Sequence, residues 1–156
     1  MEPSPGSLLR KGVTYNAIGI VQDCLFCRIL GGKEPAQIVK DSEQFVAFKT
    51  IAPASPYHLL ISPRKHIQNI HALCKADVAL IHELKAFGLS ALTADQQSSG
   101  VQMSFHRPPY NSIDHLHLHV IAYKSQMSWV GYLKYMTGTP WCIDVDALIE
   151  QLRNKN

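Results

Sequence analysis

Apolar and polar positions change period several times along the chain, and each change marks an element. Val78, Ile81, Leu84, Ala86, Leu89 and Leu92 recur at helical spacing between Ala76 and Thr93, with Asp77 near the start. They predict the one long helix. Ile38-Val39-Lys40 and Phe45-Val46-Ala47-Phe48 flank the turn residues Asp41-Ser42 and predict a hairpin. Tyr57 to Ser62 predicts a third strand, entered from the loop Ala52-Pro53-Ala54-Ser55-Pro56 and ended by Pro63. The mostly apolar stretch from Val13 to Cys27 breaks at Gly31-Gly32, which predicts a short helix ending at the glycines. Gln96 to Gly100 reads as a turn, Val101 to Phe105 as a strand, and Trp129 to Met136 and Asp144 to Leu152 as two short helices around Gly138 and Pro140. This order gives the α+β class: an antiparallel sheet, one long helix and short terminal helices. Residues 1–12, with Pro3, Pro5 and Gly6, read as a flexible tail, 13–156 as one domain and about 126–156 as its C-terminal extension.

The segment Asp114-His115-Leu116-His117-Leu118-His119-Val120, with a strand expected from Asp114 to Tyr123, adds chemistry to this frame. Three of the chain's eight histidines alternate with apolar residues. On a strand, residues i, i+2 and i+4 share a face, so the imidazoles form a row with Leu116, Leu118 and Val120 packed behind. Such a row holds a metal through neutral ring nitrogens, or presents one imidazole as a nucleophile beside neighbours that orient it and contact an anion. Packing alone is a poor explanation, because three strand histidines cost desolvation and β-propensity without a packing gain.

Composition narrows the setting. With 156 residues, 46% hydrophobic and 17% charged, the chain has enough apolar material for one core. No window approaches 18 uninterrupted apolar residues, which excludes a spanning helix. The start lacks the apolar core of a signal peptide, so an intracellular address is expected. The net charge of +3 comes from scattered Lys and Arg, the pattern of a solvated surface and not of a nucleic-acid track. Of the four cysteines, Cys24 and Cys27 have the spacing of a metal grip or a redox pair.

His115-Leu116-His117-Leu118-His119-Val120 resembles the signature of the histidine triad (HIT) superfamily of nucleotide hydrolases and transferases. Cys24 to Ile29, Ala47 to Pro53, His58 to Ile67 and Phe105 to Ser112 resemble family segments in the family's order, and together the matches cover about residues 22–125. The Phe-His-x-Pro-Pro-aromatic run and the Asn-Ser-Ile-Asp lead into the triad resemble the Hint branch. This resemblance implies a HIT-like fold and a cytoplasmic, also nuclear, enzyme that releases AMP from phosphoramidates such as adenosine 5′-monophosphoramidate and AMP-lysine. It implies a purine nucleotide as substrate, a homodimer, no cofactor for catalysis, and neither membrane nor nucleic acid as partner.

By the same resemblance His117 is the nucleophile, His119 donates to a non-bridging phosphate oxygen, His115 completes the triad and Ser112 lies near the leaving group. Phe48, Thr50, Ile51 and Asn111 are implied as substrate contacts. The family carries an acid for the ribose where this chain has Thr50, so a neutral hydroxyl replaces a charge-assisted acceptor. Relatives with Cys-x-x-Cys near the N-terminus imply a structural zinc on Cys24, Cys27, His58 and His115. The chemistry also follows from the residues. An anionic phosphorus bonded to a poor leaving amine resists water, and attack by a neutral imidazole followed by hydrolysis splits one high barrier into two lower ones.

Other readings share these residues. The same triad serves dinucleoside polyphosphate hydrolysis, nucleotidyl transfer and repair of adenylated DNA; transferases of the family favour glutamine where this chain has His119. A metal-dependent hydrolase and a nucleotide-binding regulator with residual activity are the alternatives from other classes.

Overall fold

A computed structural model describes residues 8–155. Strands β1 (Leu8–Arg10), β2 (Val13–Tyr15) and β3 (Val21–Cys24) form a small antiparallel sheet that leads into helix α1 (Leu25–Leu30). The second sheet has β4 (Ile38–Asp41), β5 (Phe45–Lys49), β6 (Tyr57–Pro63), β7 (Gln102–His106), β8 (Leu118–Ala122) and β9 (Cys142–Asp144) in the order β4-β5-β6-β8-β7-β9. All its neighbours are antiparallel. Helices α2 (Val78–Ser90), α3 (Ala94–Ser98), α4 (Trp129–Lys134) and α5 (Val145–Arg153) complete the chain.

The pleat sorts the central strands between two apolar clusters. Leu59, Ile61, Leu118 and Val120 join one cluster with Ile81 and Leu84 of α2 and Leu148, Ile149 and Leu152 of α5. Leu60 and its register partner His119 lie on the other face, where Leu60 packs with Val13, Cys24, Phe26, Leu30 and Phe48. Because both faces of β6 and β8 are covered, these strands read as nearly continuous apolar runs. The triad therefore faces the side carrying α1 and the small sheet. Helix α5 buries Val145, Leu148, Ile149 and Leu152, one face at i, i+3, i+4 and i+7, and Asp144 caps it by accepting from Asp146 N at 2.9 Å.

Local chemistry explains where the structure departs from the sequence reading. Part of the predicted tail is a strand: β1 turns at Lys11-Gly12, both at positive φ (47° and 77°), into β2. Two successive residues there suit the two-residue turn that matches strand twist. Residues 1–7 of the tail lie outside the described residues. The apolar stretch from Val13 holds β2 and β3 before its helix, and α1 ends at Gly31 as expected. The expected turn at 96–100 begins as α3, because Thr93 and Gln96 cap each other's backbone N–H groups. Strand β9 was not expected. The histidine strand is shorter than its pattern, since only Leu118 to Ala122 belong to the ladder.

Helix α2 approaches the sheet closely through Gly88. A Cβ added there would lie 2.9 Å from Met103 Cε, 3.1 Å from Val120 Cγ2 and 3.3 Å from Ile61 Cγ1. Gly88→Val should overpack this contact by about 1–3 kcal/mol and lower the melting temperature by several degrees. An unchanged melting temperature by calorimetry would show that α2 is free to lift off the sheet.

Candidate active site

Pairing of β8 with β6 starts at Leu118, opposite Ile61. Just before it, Leu116 N donates to Ile67 O at 2.7 Å and Leu116 O accepts from Ser62 Oγ at 2.8 Å. The chain is thus held by a loop and a side chain instead of by a neighbouring strand. In that conformation the carbonyl of His115 accepts from His117 Nδ1 at 2.6 Å. A carbonyl only accepts, so Nδ1 carries the proton and the neutral ring keeps its lone pair on Nε2. Burial pushes His117 down to about 4, outweighing the opposing effect of this hydrogen bond, and the ring is neutral at physiological pH.

A second chain of bonds sets His119 with the opposite polarity. Ala54 N donates to His58 Nδ1 at 3.1 Å. Neutral His58 then carries its proton on Nε2, which lies 3.0 Å from His119 Nδ1 and donates to it. His119 is left with an Nε2–H that is buried and has no hydrogen-bond partner among the described residues. Burial lowers His58 to about 4 and His119 well below the usual histidine range, so both stay neutral. The rings of His117 and His119 are 5.1 Å apart. One offers a lone pair and the other a proton, which is the combination required for attack on an anionic phosphorus.

An open cleft of about 830 Å³ lies over these two rings, within the size range of small-molecule sites. Phe48, Thr50, Ile51 and Ser112 line it. Ser112 is exposed, and Ile51 is fully exposed. Thr50 Oγ1 accepts from Ala52 N at 3.2 Å. Phe48 is buried edge-on against Phe26, so it belongs to the apolar cluster as much as to the cleft. Asn111 does not line the cleft. It is buried, and its Nδ2 donates to Asp114 Oδ1 at 2.9 Å, which braces the loop before the triad.

Sequence reasoning missed three residues here. His106 Nε2 donates to Lys134 O at 3.1 Å, and its ring lies 4.9 Å from that of His119. Tyr135 packs against His58, His106 and His119 with centroids 5.2, 4.7 and 4.9 Å away. Lys134 and Tyr135 both line the cleft. The alternation of Ser104 and His106 along β7 was the available signal for His106; Lys134 and Tyr135 gave none.

His115 leaves the row. Its Nε2 donates to Pro63 O at 2.8 Å, which turns the unprotonated Nδ1 toward Cys24 Sγ (3.6 Å), Cys27 Sγ (3.5 Å) and His66 Nδ1 (3.2 Å). The four ligand atoms lie within 4.8 Å of one another. Cys24 is the N-cap of α1, so helix formation itself places Cys27 beside it. Burial, with Cys24 beside it, pushes the Cys27 thiol up to about 12. His58 is not part of this group. Its ring is committed to Ala54 and His119, and His66, in the loop after β6, occupies the place that the sequence reading gave to His58.

Comparison with known proteins places this arrangement. A family described as scavenger mRNA decapping enzyme C-term binding matches residues 23–134. Adenosine 5′-monophosphoramidase HINT3 of Mus musculus is 38% identical over 135 residues, 84% of this chain and 82% of its own length. The protein of the same name from Xenopus tropicalis is 33% identical over 156 residues, 98% of this chain and 99% of its own. Among solved structures, a HIT family hydrolase from Legionella pneumophila Philadelphia 1 superposes with a TM-score of 0.63 at 33% identity, covering 69% of this chain and 97% of its own. With its triad, its antiparallel sheet and these relatives, the chain belongs to the histidine triad superfamily.

Proposed function

We propose that this chain is a nucleotide phosphoramidate hydrolase that releases AMP from adenosine 5′-monophosphoramidate and AMP-lysine type substrates through a nucleotidyl-His117 intermediate. The opposed polarity of the two cleft imidazoles, a lone pair on His117 Nε2 beside an N–H on His119 Nε2, carries this reading. The relatives named as adenosine 5′-monophosphoramidases support it. His117 Nε2 attacks phosphorus, the P–N bond breaks, and the amine leaves with a proton from solvent at the open side, near Ser112. His119 Nε2–H binds a non-bridging oxygen as charge moves onto it. Water then attacks the same phosphorus, the bond to His117 breaks, and AMP is released. His58 acts as a positioning residue, because its Nε2–H keeps the His119 proton on the cleft side.

A phosphoramidase assay with the two AMP conjugates and single-turnover intact-mass analysis test this scheme together. His117→Ala should lose at least about 10³-fold in kcat, and a His119→Ala enzyme should accumulate AMP on His117. An adduct on another residue, or none, overturns the scheme. His58→Leu should lower kcat by about 10- to 100-fold with little change in KM. His58→Gln should recover part of the loss, since an amide can accept from Ala54 and donate to His119. Equal losses in both variants would reduce His58 to packing.

Cys24, Cys27, His66 and His115 would hold a structural zinc. A tetrahedral ion at ordinary bond lengths sets its ligands about 3.6 Å apart for sulfur to nitrogen and about 3.3 Å for nitrogen to nitrogen, and the spacings of 3.5–3.6 Å and 3.2 Å fit. Zinc bound there would tie α1 and the loop after β6 to the start of the triad, without entering the reaction. Protein purified without chelator should contain about one zinc per chain, and Cys24→Ser or Cys27→Ser should lose it along with several degrees of melting temperature. Metal-free protein whose melting temperature ignores added zinc would rule the site out.

The chain is also expected to form a homodimer. Trp129 and Val130 (each 73% exposed), Tyr132 and Leu133 spread an apolar face over α4, with the Trp129 and Tyr132 rings stacked. Sedimentation at about 50 µM should show the dimer, a concentration chosen for ordinary micromolar affinities, and Trp129→Ser should weaken it; a pure monomer contradicts the proposal.

A further inference from the structure

The cleft has two distinct flanks. Sheet order puts Phe48, Thr50 and Ile51, at the end of β5, on one side of His117 and His119. On the other side is β7, whose His106 holds the carbonyl of Lys134. Helix α4 connects the flanks. Gly131 sits close against Ala54 of the loop after β5 (an added Cβ would lie 3.2 Å from Ala54 Cβ), and three residues later Lys134 ends the helix over β7. Substrate seated with its nucleoside against Phe48–Ile51 and its phosphorus at His117 leaves its amine half at the open side of the cleft, whose lining includes Ser112 and Lys134.

Charge makes this flank selective. No residue lining the cleft, among those described, is a carboxylate, whereas Lys49 and Lys134 are cationic. The Lys134 ammonium lies 5.6 Å from the centroid of the Tyr135 ring, and no carboxylate among the described residues pairs with it. Tyr135 in turn is wedged against His58, His106 and His119, so this cation is anchored beside the catalytic rings at the mouth of the cleft. Its charge reaches His58, His106 and His119.

We propose that Lys134 is a specificity-determining residue that favours nucleotide phosphoramidates whose amine half carries negative charge, such as AMP joined through the amine of an acidic amino acid. The proposal rests on the phosphoramidate reading above and refines its substrate class. A carboxylate on the leaving group forms an ion pair with Lys134, whereas the second ammonium of a lysine conjugate is repelled by it. The pair sits at a cleft mouth open to water, so the preference is modest, about threefold to tenfold, and salt weakens it.

The test compares AMP-aspartate with AMP-lysine amide, both joined through the α-amine, as substrates of the full-length protein. The aspartate conjugate should have the higher kcat/KM, by the factor given, and this ratio should fall toward one in Lys134→Gln and at about 1 M salt. Lys134→Arg should retain it. Dissociation constants of the same conjugates in a His117→Ala background, with and without Lys134→Gln, read the preference without turnover. A ratio that Lys134→Gln leaves unchanged in both measurements overturns the proposal, as does a wild-type preference for the lysine conjugate. Absence of turnover with every phosphoramidate, while the binding ratio still depends on Lys134, overturns the hydrolase reading and leaves this assignment standing.

Discussion

The hydrogen bond from His117 Nδ1 to the carbonyl of His115 is the contact on which the site depends. It exists because β8 begins only at Leu118, so the peptide of His115 is free to turn its oxygen toward the next histidine ring instead of toward a neighbouring strand. His115 is thus bonded in three directions: its carbonyl orients the His117 ring, its Nε2 is fixed by Pro63, and its Nδ1 faces two cysteines and His66. The first triad histidine is a bracket for the second. Anything that holds the Cys24–Cys27 turn against the loop after β6 also holds the angle of the His117 ring toward the cleft.

Burying several imidazoles in one small region is costly unless each ring nitrogen finds a partner. Here the backbone supplies most of them, and the kind of backbone group at the end of each chain of bonds sets the polarity of the whole chain. A carbonyl ends the chain at His117, which forces a lone pair outward; an amide N–H starts the chain at Ala54, which forces a proton outward from His119. Two histidines two residues apart thereby turn opposite hydrogen-bonding polarity toward the cleft. Desolvation reinforces the division, since it keeps both rings neutral.

Much of this was legible in the sequence, because period and turn residues encode the large sheet, α2 and the triad directly. The misreadings have physical causes. His58 lies within β6 and His66 in the loop after it, and strand alternation alone does not tell which one turns back to the cysteines; the decision belongs to Ala54, whose N–H engages His58. Asn111 was a substrate contact only by the family resemblance, and the buried carboxylate of Asp114 takes its amide. Strand β9 is too short for a periodic signal, and β1 depends on Lys11 adopting a left-handed conformation that its residue type does not announce.

The segment after the triad, read from sequence as an extension, completes the site. Strand β9 pairs with β7, and Arg107 N beyond it bonds Trp141 O at 2.9 Å, so β7 has a neighbour on each side and His106 is held in place. The end of α4 is fastened to the same two strands: Tyr135 O accepts from Gln102 Nε2 at 2.5 Å and from Cys142 Sγ at 3.6 Å. These bonds fix the Tyr135 ring against three histidines and set Lys134 at the cleft wall. The central strands supply the pair of imidazoles at the floor of the cleft, and the C-terminal elements supply the wall that Lys134 and Tyr135 line. The imidazole pair and this wall thus come from different parts of the chain, joined where the Tyr135 ring packs against His58, His106 and His119.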